Sequence, residues 1–333
     1  MKKINDLIQK LLIKYSGDES QSFVLLPHVA ADGDALGSSL ALCLFLREHG
    51  HAATVWLEEA IAPQLQFIEA QELLYVWGRD SFVDTHNHRV IILDAGEISR
   101  LGERQAMLDN CLSIDIIDHH QPSTKVFAGK EALAERCDLV WIEPARSSVS
   151  EMVAKMLLTV EYMNATVANL LLTGIYSDTF GLRYANCRSE TFYIVASLVQ
   201  CTDKLPKIAE LLFSTITATR QKVKGWLFYN RELWKPNVVF SLIDGAKFSE
   251  LDADDNDTEG VCAELRQVEG IDLAILAREI SPNNWKISLR SSDEFDCAAI
   301  AAKLGGGGHK RAAGIKLTGD ETSVRRSLED CIN

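Results

Sequence analysis

Four stretches of the sequence place aspartate or histidine directly after an apolar segment. The most concentrated is Asp118-His119-His120. It follows a mostly apolar, β-branched run from Ile114 to Ile117, and Pro122 comes shortly after it. A buried parallel strand delivers its last residues to the carboxyl edge of its sheet, where open α/β folds bind ligands. Alone, this tripeptide fits a strand-end cap with solvated histidines as well as it fits a set of metal ligands or phosphate contacts.

The other three stretches supply matching groups. In chain order they are 22–27 followed by His28, Asp32 and Asp34, 89–93 followed by Asp94, and 167–172 followed by Asp178. Any one of these residues is more often a cap or a turn residue than a ligand. Four such endings together predict a metal site at one edge of a sheet.

The candidate ligands are rich in aspartate, include histidine and contain no cysteine. This set favours a hard or borderline divalent ion over structural zinc, with Mn²⁺ as the first choice and Mg²⁺ as the alternative. The number of ligand groups exceeds what one open catalytic ion uses. The sequence therefore predicts two ions with a carboxylate shared between them, which is the usual arrangement in phosphoryl chemistry.

The elements that must position these residues divide the chain into three parts. Strand and helix patterns alternate through residues 1–200, which predicts a doubly wound parallel sheet. Residues 201–236 have a helical pattern and are expected to form a helical connector. The pattern from 237 to 333 predicts a smaller α/β domain with a mixed sheet.

Two of the candidate ligands are expected in loops. Asp34 precedes a helix predicted to start at Leu36, and Asp178 falls between helices predicted at 165–175 and 190–199. A further helix is predicted around 104–110. Other strands are expected at 52–57, 139–142, 238–242, 272–279 and 285–290.

Composition narrows the class of substrate. The 333 residues are 47% hydrophobic and 24% charged, which is typical of a globular protein, and 34 basic against 47 acidic side chains give a net charge of −13. A protein that grips long duplex nucleic acid by its phosphates is expected to be basic. The acidic balance therefore favours small anionic substrates in a local pocket.

The sequence gives no sign of a membrane partner. No apolar run approaches the roughly 20 residues that a membrane span needs. The N-terminal segment has the pattern of an amphipathic helix rather than of a signal peptide. We therefore expect a cytoplasmic protein, and the oligomeric state stays open, with a homodimer as one option.

A glycine run lies near the C-terminus. Gly305 to Gly308 precede His309, Lys310 and Arg311. Consecutive glycines weaken a helix or strand by about 0.5–1 kcal/mol each. Backbone without Cβ atoms beside three potential cations suits a phosphate or another oxyanion, and a flexible turn is the alternative.

Taken together, these motifs resemble those of the DHH phosphoesterase family, named for the tripeptide at 118–120. The matching motifs are His28-x-x-x-Asp32-x-Asp34, Asp94, Asp118-His119-His120, Asp178 and the C-terminal Gly305–Gly314. The resemblance spans almost the whole chain. Within the family the chain is most similar to the two-domain branch of short-oligonucleotide hydrolases (nanoRNases) that also act on 3′-phosphoadenosine 5′-phosphate.

The resemblance implies a role for each candidate residue. His28 and Asp32 would hold one ion, and Asp34, His119 and Asp178 the other, with Asp94 bridging. His120 would contact the scissile phosphate and Asp118 would orient the histidines, so the implied catalytic residues are His120, Asp118 and Asp94. The implied reaction is attack on phosphorus by a water that two metals activate. The implied substrate contacts are His120, Arg183, Arg290, Gly306, Gly307, Gly308, His309, Lys310 and Arg311.

The resemblance implies that the second domain binds the far end of the substrate, so that short single-stranded RNA or small phosphorylated nucleotides fit best. Phosphodiesterases of cyclic or linear dinucleotides (cyclic di-AMP, pApA, pGpG) carry similar motifs and remain an alternative. Polyphosphatases and pyrophosphatases fit less well, because the pyrophosphatase C-terminal domain lacks this glycine-histidine pattern. A degenerate nucleotide-binding module would predict a broken ligand set, yet all the metal positions are filled.

Overall fold

The structure, a computed structural model, describes residues 2–15, 20–80, 88–120 and 137–332. Pro122, which comes shortly after the histidine pair in the sequence, lies outside these ranges. The chain forms two compact units, Met1–Thr215 and Ile216–Asn333. Within the described ranges, no helix combines the length and the apolar character that crossing a membrane requires.

A six-stranded parallel sheet forms the centre of the first unit. Its strands are β1 (Ser22–Leu26), β2 (Ala52–Leu57), β3 (Leu74–Val76), β4 (His88–Leu93), β5 (Ser113–Asp118) and β6 (Cys137–Ile142). They are arranged in the order β3-β2-β1-β4-β5-β6, and every described pair is parallel. The strand order reverses between β1 and β4, and a reversal of this kind leaves a crevice at the carboxyl ends of the strands.

Alternating side chains of the central strands enter two different apolar cores. Phe23 and Leu25 of β1 pack into the larger core with the helices, whereas Val24 and Leu26 pack on the opposite face. The helices of this unit are α1 (Lys2–Tyr15), α2 (Gly33–Glu48), α3 (Val149–Thr159), α4 (Ala165–Thr179), α5 (Ser189–Val199) and α6 (Leu205–Phe213). The opposite face is covered by a 3₁₀ segment, Ile98–Leu108. The predicted doubly wound sheet is confirmed.

Helices α2 and α4 pack unusually closely because two glycines lie at their contact. A Cβ atom on Gly37 of α2 would lie 2.3 Å from the Leu170 carbonyl oxygen. A Cβ atom on Gly174 of α4 would lie 1.9 Å from Ser150 Oγ and 2.9 Å from Asp34 Oδ1. The absence of side chains at these positions brings the end of α4 close to the start of α2.

The second unit contains a mixed sheet. Its strands are β7 (Glu232–Lys235), β8 (Val238–Ile243), β9 (Leu273–Ser281), β10 (Asn284–Ser291), β11 (Gly307–His309) and β12 (Ala312–Thr318), in the order β11-β12-β10-β9-β8-β7. Strands β8 and β9 are parallel and the other described pairs are antiparallel. Its helices are α7 (Ala218–Tyr229), α8 (Gly245–Glu250), α9 (Val261–Arg266), α10 (Cys297–Lys303) and α11 (Glu321–Ile332). The predicted second domain with a mixed sheet is confirmed.

Some local predictions need correction. Asp34 and Asp178 lie inside helices, because α2 begins at Gly33 and α4 continues to Thr179. The helix predicted around 104–110 is instead the end of the 3₁₀ segment, which Gly102 interrupts with a φ of 64°. The Glu58 carboxylate accepts the Glu103 amide there at 2.8 Å, which replaces an intrahelical bond. The segment predicted as a connector contains α6 in the first unit and α7 and β7 in the second.

Candidate metal centre

The three strands at the order reversal deliver the predicted residues to one edge. His28 follows β1 after one proline, Asp94 follows β4, and Asp118 is the last residue of β5. His119 and His120 come next in the chain. Because β1, β4 and β5 are neighbours and parallel, these side chains converge at the crevice of the sheet.

Asp32 and Asp34 sit at the start of α2 with different partners. Asp32 Oδ1 caps the helix by accepting from the amides of Asp34 and Ala35, each at 3.0 Å. Asp34 is fully buried, and its carboxylate accepts from the amides of Val149 at 2.6 Å and Ser150 at 2.7 Å. The partly positive N-terminus of α3 therefore fixes this carboxylate.

Asp178 reaches the cluster from the last turn of α4. Its Oδ2 lies 3.2 Å from Nε2 of His119. Asn186 Nδ2 donates to the Asp178 carbonyl at 3.2 Å and to the Ser147 carbonyl at 3.0 Å, so the chain after α4 is tied back to the site.

His28 and His119 present the same ring nitrogen to the carboxylates. His28 Nδ1 lies 2.5 Å from the Val29 carbonyl and His119 Nδ1 lies 3.4 Å from the Arg146 carbonyl. A proton on Nδ1 satisfies these carbonyls and leaves Nε2 as the ligand atom. His28 Nε2 lies 3.5 Å from Asp94 Oδ2, and His119 Nε2 lies 3.5 Å from Asp94 Oδ1.

Asp94 is strained and incompletely bonded. Its φ of 56° places a non-glycine residue in the left-handed region, which is costly and concentrates at functional sites. The residue is 2% exposed, and among the described residues its buried Oδ1 has no hydrogen-bond partner, although His119 Nε2 and His120 Nδ1 lie 3.5 Å from it. A buried carboxylate oxygen without a donor requires compensation by a cation or another ligand.

In the part of the chain that the structure describes, three overlapping groups of side chains could each hold a metal ion. Within each group the ligand atoms lie within 4.8 Å of one another, and the groups are His28-Asp32-Asp94, Asp94-His119-His120 and Asp34-His119-Asp178. Asp94 and His119 each belong to two groups. The donor set consists of carboxylate oxygens and imidazole nitrogens, which suits a divalent cation.

The pKa shifts of the clustered side chains also indicate that the cluster favours a bound positive charge. Burial, followed by the charges of Asp178 and Asp94, raises the pKa of Asp34 well above 3.8. Burial also raises the pKa of Asp178, although its hydrogen bond from His119 opposes the shift. For His28, burial lowers the pKa, but bonds to Asp32 and Asp94 outweigh it and raise the pKa to about 10. Crowded carboxylates of this kind are relieved by a bound cation.

Asp118 and His120 form a separate pair beside the cluster. Asp118 is 1% exposed, and its Oδ1 accepts from His119 N at 2.8 Å, His120 N at 3.2 Å and His120 Nδ1 at 2.8 Å. His120 Nε2 lies 3.5 Å from Nη1 of Arg100. The His120 side chain is 43% exposed, so this ring is available to a ligand while Oδ1 of Asp118 orients it.

A buried polar network behind the cluster was not predicted from the sequence. Glu151 accepts from the Ser147 amide at 3.1 Å, Ser147 Oγ at 2.5 Å, Thr191 Oγ1 at 2.8 Å and Arg146 Nη1 at 3.0 Å. It fixes the turn that precedes α3. Asn186 binds this turn at the Ser147 carbonyl, and Asp34 binds the first amides of α3. Ser148 Oγ caps α3 by accepting from the Glu151 amide at 3.0 Å, but no feature of the sequence indicates the tertiary partners of Glu151.

The second unit brings two predicted substrate contacts into one row. His309 of β11 pairs with Ala312 of β12, which pairs with Arg290 of β10. Residues directly opposite one another share a face, so His309 and Arg290 lie on the same face about two strand spacings, roughly 10 Å, apart. Arg290 Nη1 donates to the Leu289 carbonyl at 2.9 Å.

The remaining predicted contacts differ in their surroundings. Packing alone requires glycine at two of these positions. A Cβ atom on Gly306 would lie 2.4 Å from the Gly314 carbonyl oxygen, and one on Gly308 would lie 2.5 Å from the Ala312 carbonyl oxygen. Gly307 faces open space, and Lys310 is exposed. Arg311 forms two bonds to Asp293, at 3.0 and 2.6 Å. In the first unit, the Arg183 guanidinium lies 4.8 Å from the centre of the Phe180 ring.

Two domain models match the chain. Residues 22–175 match the DHH family, N-terminal domain, and residues 235–333 match the DHHA1 domain. A relative from Thermus thermophilus named "Bifunctional oligoribonuclease and PAP phosphatase NrnA" is 28% identical over 88% of this chain and 83% of its own length. A relative of the same name from Bacillus subtilis is 23% identical, with 89% of each chain covered.

One solved structure shares the fold over nearly its full length. The exopolyphosphatase-related protein from Bacteroides fragilis has a TM-score of 0.84 at 23% identity, covering 98% of this chain and 96% of that one. The fold, the cluster of carboxylates and histidines and the two domain matches define a phosphoesterase of the hydrolase class. The chain thus carries an N-terminal domain of the DHH family followed by a DHHA1 domain.

Proposed function

We propose that the chain hydrolyses short oligoribonucleotides to mononucleotides and also removes a phosphate from 3′-phosphoadenosine 5′-phosphate. The observation that carries this proposal is the set of three overlapping Asp and His groups at the order reversal of the sheet. The relatives that match both units are named for these two activities. The net charge of −13 supports small substrates rather than long duplexes.

The unpartnered Asp94 oxygen and the crowded carboxylates fit two divalent ions, Mn²⁺ first and Mg²⁺ as the alternative. We assign His28 and Asp32 to one ion, Asp34, His119 and Asp178 to the other, and Asp94 to both. When bound, such ions lower the pKa of a water and neutralise phosphoryl oxygens. The chain's own part is to hold the carboxylates rigid through the α2 and α3 N-termini.

His120 is assigned to the scissile phosphate. Its ring is 43% exposed and is fixed through Nδ1 by Asp118, which leaves Nε2 to meet an oxygen of the substrate. The Arg100 guanidinium 3.5 Å from Nε2 adds a positive charge beside that position. We propose that Asp118 acts by orienting His120 and not by contact with the substrate.

The second unit is assigned to a substrate phosphate remote from the cleaved bond. His309 and Arg290 share one face of the sheet, and Gly307 leaves open space beside them. Lys310 is an exposed cation of the same unit, whereas Arg311 is already paired with Asp293. Arg183, an exposed cation of the first unit, is assigned instead to the phosphate at the metal centre. A requirement for two bound phosphates would select short chains.

Cleavage of a cyclic dinucleotide is the second candidate. A relative from Bacillus subtilis named "Cyclic-di-AMP phosphodiesterase GdpP" is 24% identical over 93% of this chain, although over only 47% of its own length. The same proposed metal ligands and the same proposed second anion site would serve either substrate. The two candidate functions therefore differ only in which substrate enters the site.

The test is turnover of a labelled RNA ladder of two to twenty nucleotides with Mn²⁺, beside 3′-phosphoadenosine 5′-phosphate, cyclic di-AMP and pyrophosphate. Activity that peaks at two to five nucleotides supports the proposal. The Asp94→Asn variant has to be inactive, and Asp203→Asn, a change at an exposed aspartate, has to match wild type. Intact RNA with consumption of the cyclic dinucleotide would transfer the proposal to the second candidate.

A further inference from the structure

The segment directly after Asp178 has a strained backbone. Phe180, Gly181 and Leu182 have φ values of 49°, 67° and 65°, so three successive residues occupy the left-handed region and two of them are bulky. Such conformations persist only where the surroundings enforce them, and they concentrate at binding sites. Here the Arg183 and Tyr184 amides both donate to the Thr179 carbonyl, at 2.9 and 3.1 Å.

This turn presents a cluster of aromatic rings. The Phe180 ring stacks on Tyr184 with centroids 5.6 Å apart at 20° and meets Phe213 edge-on at 5.1 Å. The Arg183 guanidinium also lies over Phe180. Phe180 is therefore surrounded, whereas Tyr184 is 55% exposed and forms the outer surface of the stack.

The stack lies beside the proposed metal ligands. Tyr184 N bonds to the carbonyl of Thr179, the residue next to Asp178, and Asn186 returns to the Asp178 carbonyl at 3.2 Å. The Tyr184 amide thus lies 3.1 Å from the carbonyl oxygen of the residue that directly follows Asp178. In a nucleotide, one ribose joins the phosphate to the base, so a phosphate at this cluster brings its base within reach of the stack.

We propose that the exposed ring of Tyr184 stacks on the nucleobase of the nucleotide whose phosphate is bound at the metal centre. Phe180 holds the Tyr184 ring in place, and Arg183 adds positive charge over the Phe180 ring. Stacking on an aromatic ring accepts any base, because every base has a π-face. This inference rests on the proposed function, since it requires a substrate that contains a nucleobase.

The test compares ligands with and without a base. Affinity for adenosine 5′-monophosphate and for ribose 5-phosphate is measured by calorimetry in the presence of Mn²⁺. Tyr184→Ala is expected to weaken adenosine 5′-monophosphate binding about 5- to 150-fold, the usual range for one stacked base, and to leave ribose 5-phosphate unchanged. Tyr184→Phe keeps the ring and should bind both ligands like wild type.

Tyr193→Ala is the matched control, because Tyr193 is 75% exposed on α5. Phe180→Gly is a second variant, since glycine accepts a φ of 49° without strain while the support for Tyr184 is lost. It should retain folding and weaken only the base-containing ligand. Equal weakening of both ligands, or unchanged binding in Tyr184→Ala, overturns the inference.

The two proposals fail separately. If wild type cleaves short RNA but Tyr184→Ala binds adenosine 5′-monophosphate normally, the stacking inference is wrong and the function stands. If wild type cleaves only phosphate compounds without a base, the proposed function is wrong, and the stacking inference is overturned with it.

Discussion

The amide of Ser150 donates to Asp34 Oδ1 at 2.7 Å across 116 positions of sequence. The contact exists because α2, α3 and α4 meet at Gly174, where no side chain separates them. A proposed metal ligand is therefore positioned by the packing of helices rather than by its own loop.

Gly174→Ala is expected to disturb that packing. The new methyl group would lie 1.9 Å from Ser150 Oγ and 2.9 Å from Asp34 Oδ1. Overpacking of this kind costs about 1–3 kcal/mol of stability, measurable by urea unfolding. Gly225→Ala in α7 is the control, because its Cβ meets nothing within 4 Å and should stabilise by about 0.5–1 kcal/mol. Wild-type stability in Gly174→Ala would show that the helices adjust.

Asp94→Asn should remove both turnover and stabilisation by metal. At a metal concentration about a hundredfold above Kd, binding contributes about 2.7 kcal/mol, or a Tm rise of roughly 5–10 °C for a unit of this size. The variant should show little of this rise in thermal unfolding with Mn²⁺. Without metal it should be at least as stable as wild type, since one crowded carboxylate charge is gone. A full Mn²⁺ shift in Asp94→Asn would contradict its role as a shared ligand.

Glu151→Gln tests the buried network. The amide group would place donors against Ser147, Thr191 or Arg146, which now donate to the carboxylate. We expect a loss of about 2–3 kcal/mol in the free energy of unfolding, together with weaker metal binding. Glu190→Gln is the control, because Glu190 also pairs with Arg146 but is 46% exposed, and it should cost about 0–1 kcal/mol. Equal losses in the two variants would contradict a special role for Glu151.

His309→Gln should raise KM for dinucleotides several-fold and leave the Mn²⁺-induced Tm shift unchanged. The reason is that His309 lies in the second unit, whereas every proposed metal ligand lies in the first. Lys316→Gln, an exposed change on the same strand as Ala312, is the control. Steady-state kinetics measures both constants. An unchanged KM with a lowered kcat would contradict the assignment of His309 as a substrate contact.

The buried thiols provide a pH-dependent prediction. Burial raises the pKa of Cys43 and of Cys262 from 9.0 to about 12. At pH 8 the thiolate fraction is then about 10⁻⁴, compared with roughly one in ten for an unshifted thiol, so alkylation of the native protein should largely spare both. Because the folded pKa is raised, the stability that each thiol contributes is complete below about pH 9 and is lost as the pH rises towards 12. Mass spectrometry after iodoacetamide treatment checks this, and rapid native labelling of Cys43 would contradict it.

The buried strands were predictable because a parallel strand covered on both faces leaves a largely apolar run, as in β4 and, apart from Asp115, in β5. The short edge strands β3 and β11 were not, since three residues, two of them glycine in β11, carry no period. The convergence of Asp94 with His119 followed from strand order. The helical positions of Asp34 and Asp178 did not, because they depend on close contact between α2 and α4.

The proposed ligands extend from His28 to Asp178, so the cluster joins residues that are 150 positions apart. Contacts of such long range form late in folding, because the intervening loop has to be closed before they are made. During synthesis, His28, Asp32 and Asp94 emerge well before Asp178 completes the set. Binding of a divalent ion at the complete site would therefore indicate that the first unit has folded. An ion that is present before Asp178 is synthesised would meet only part of the ligand set.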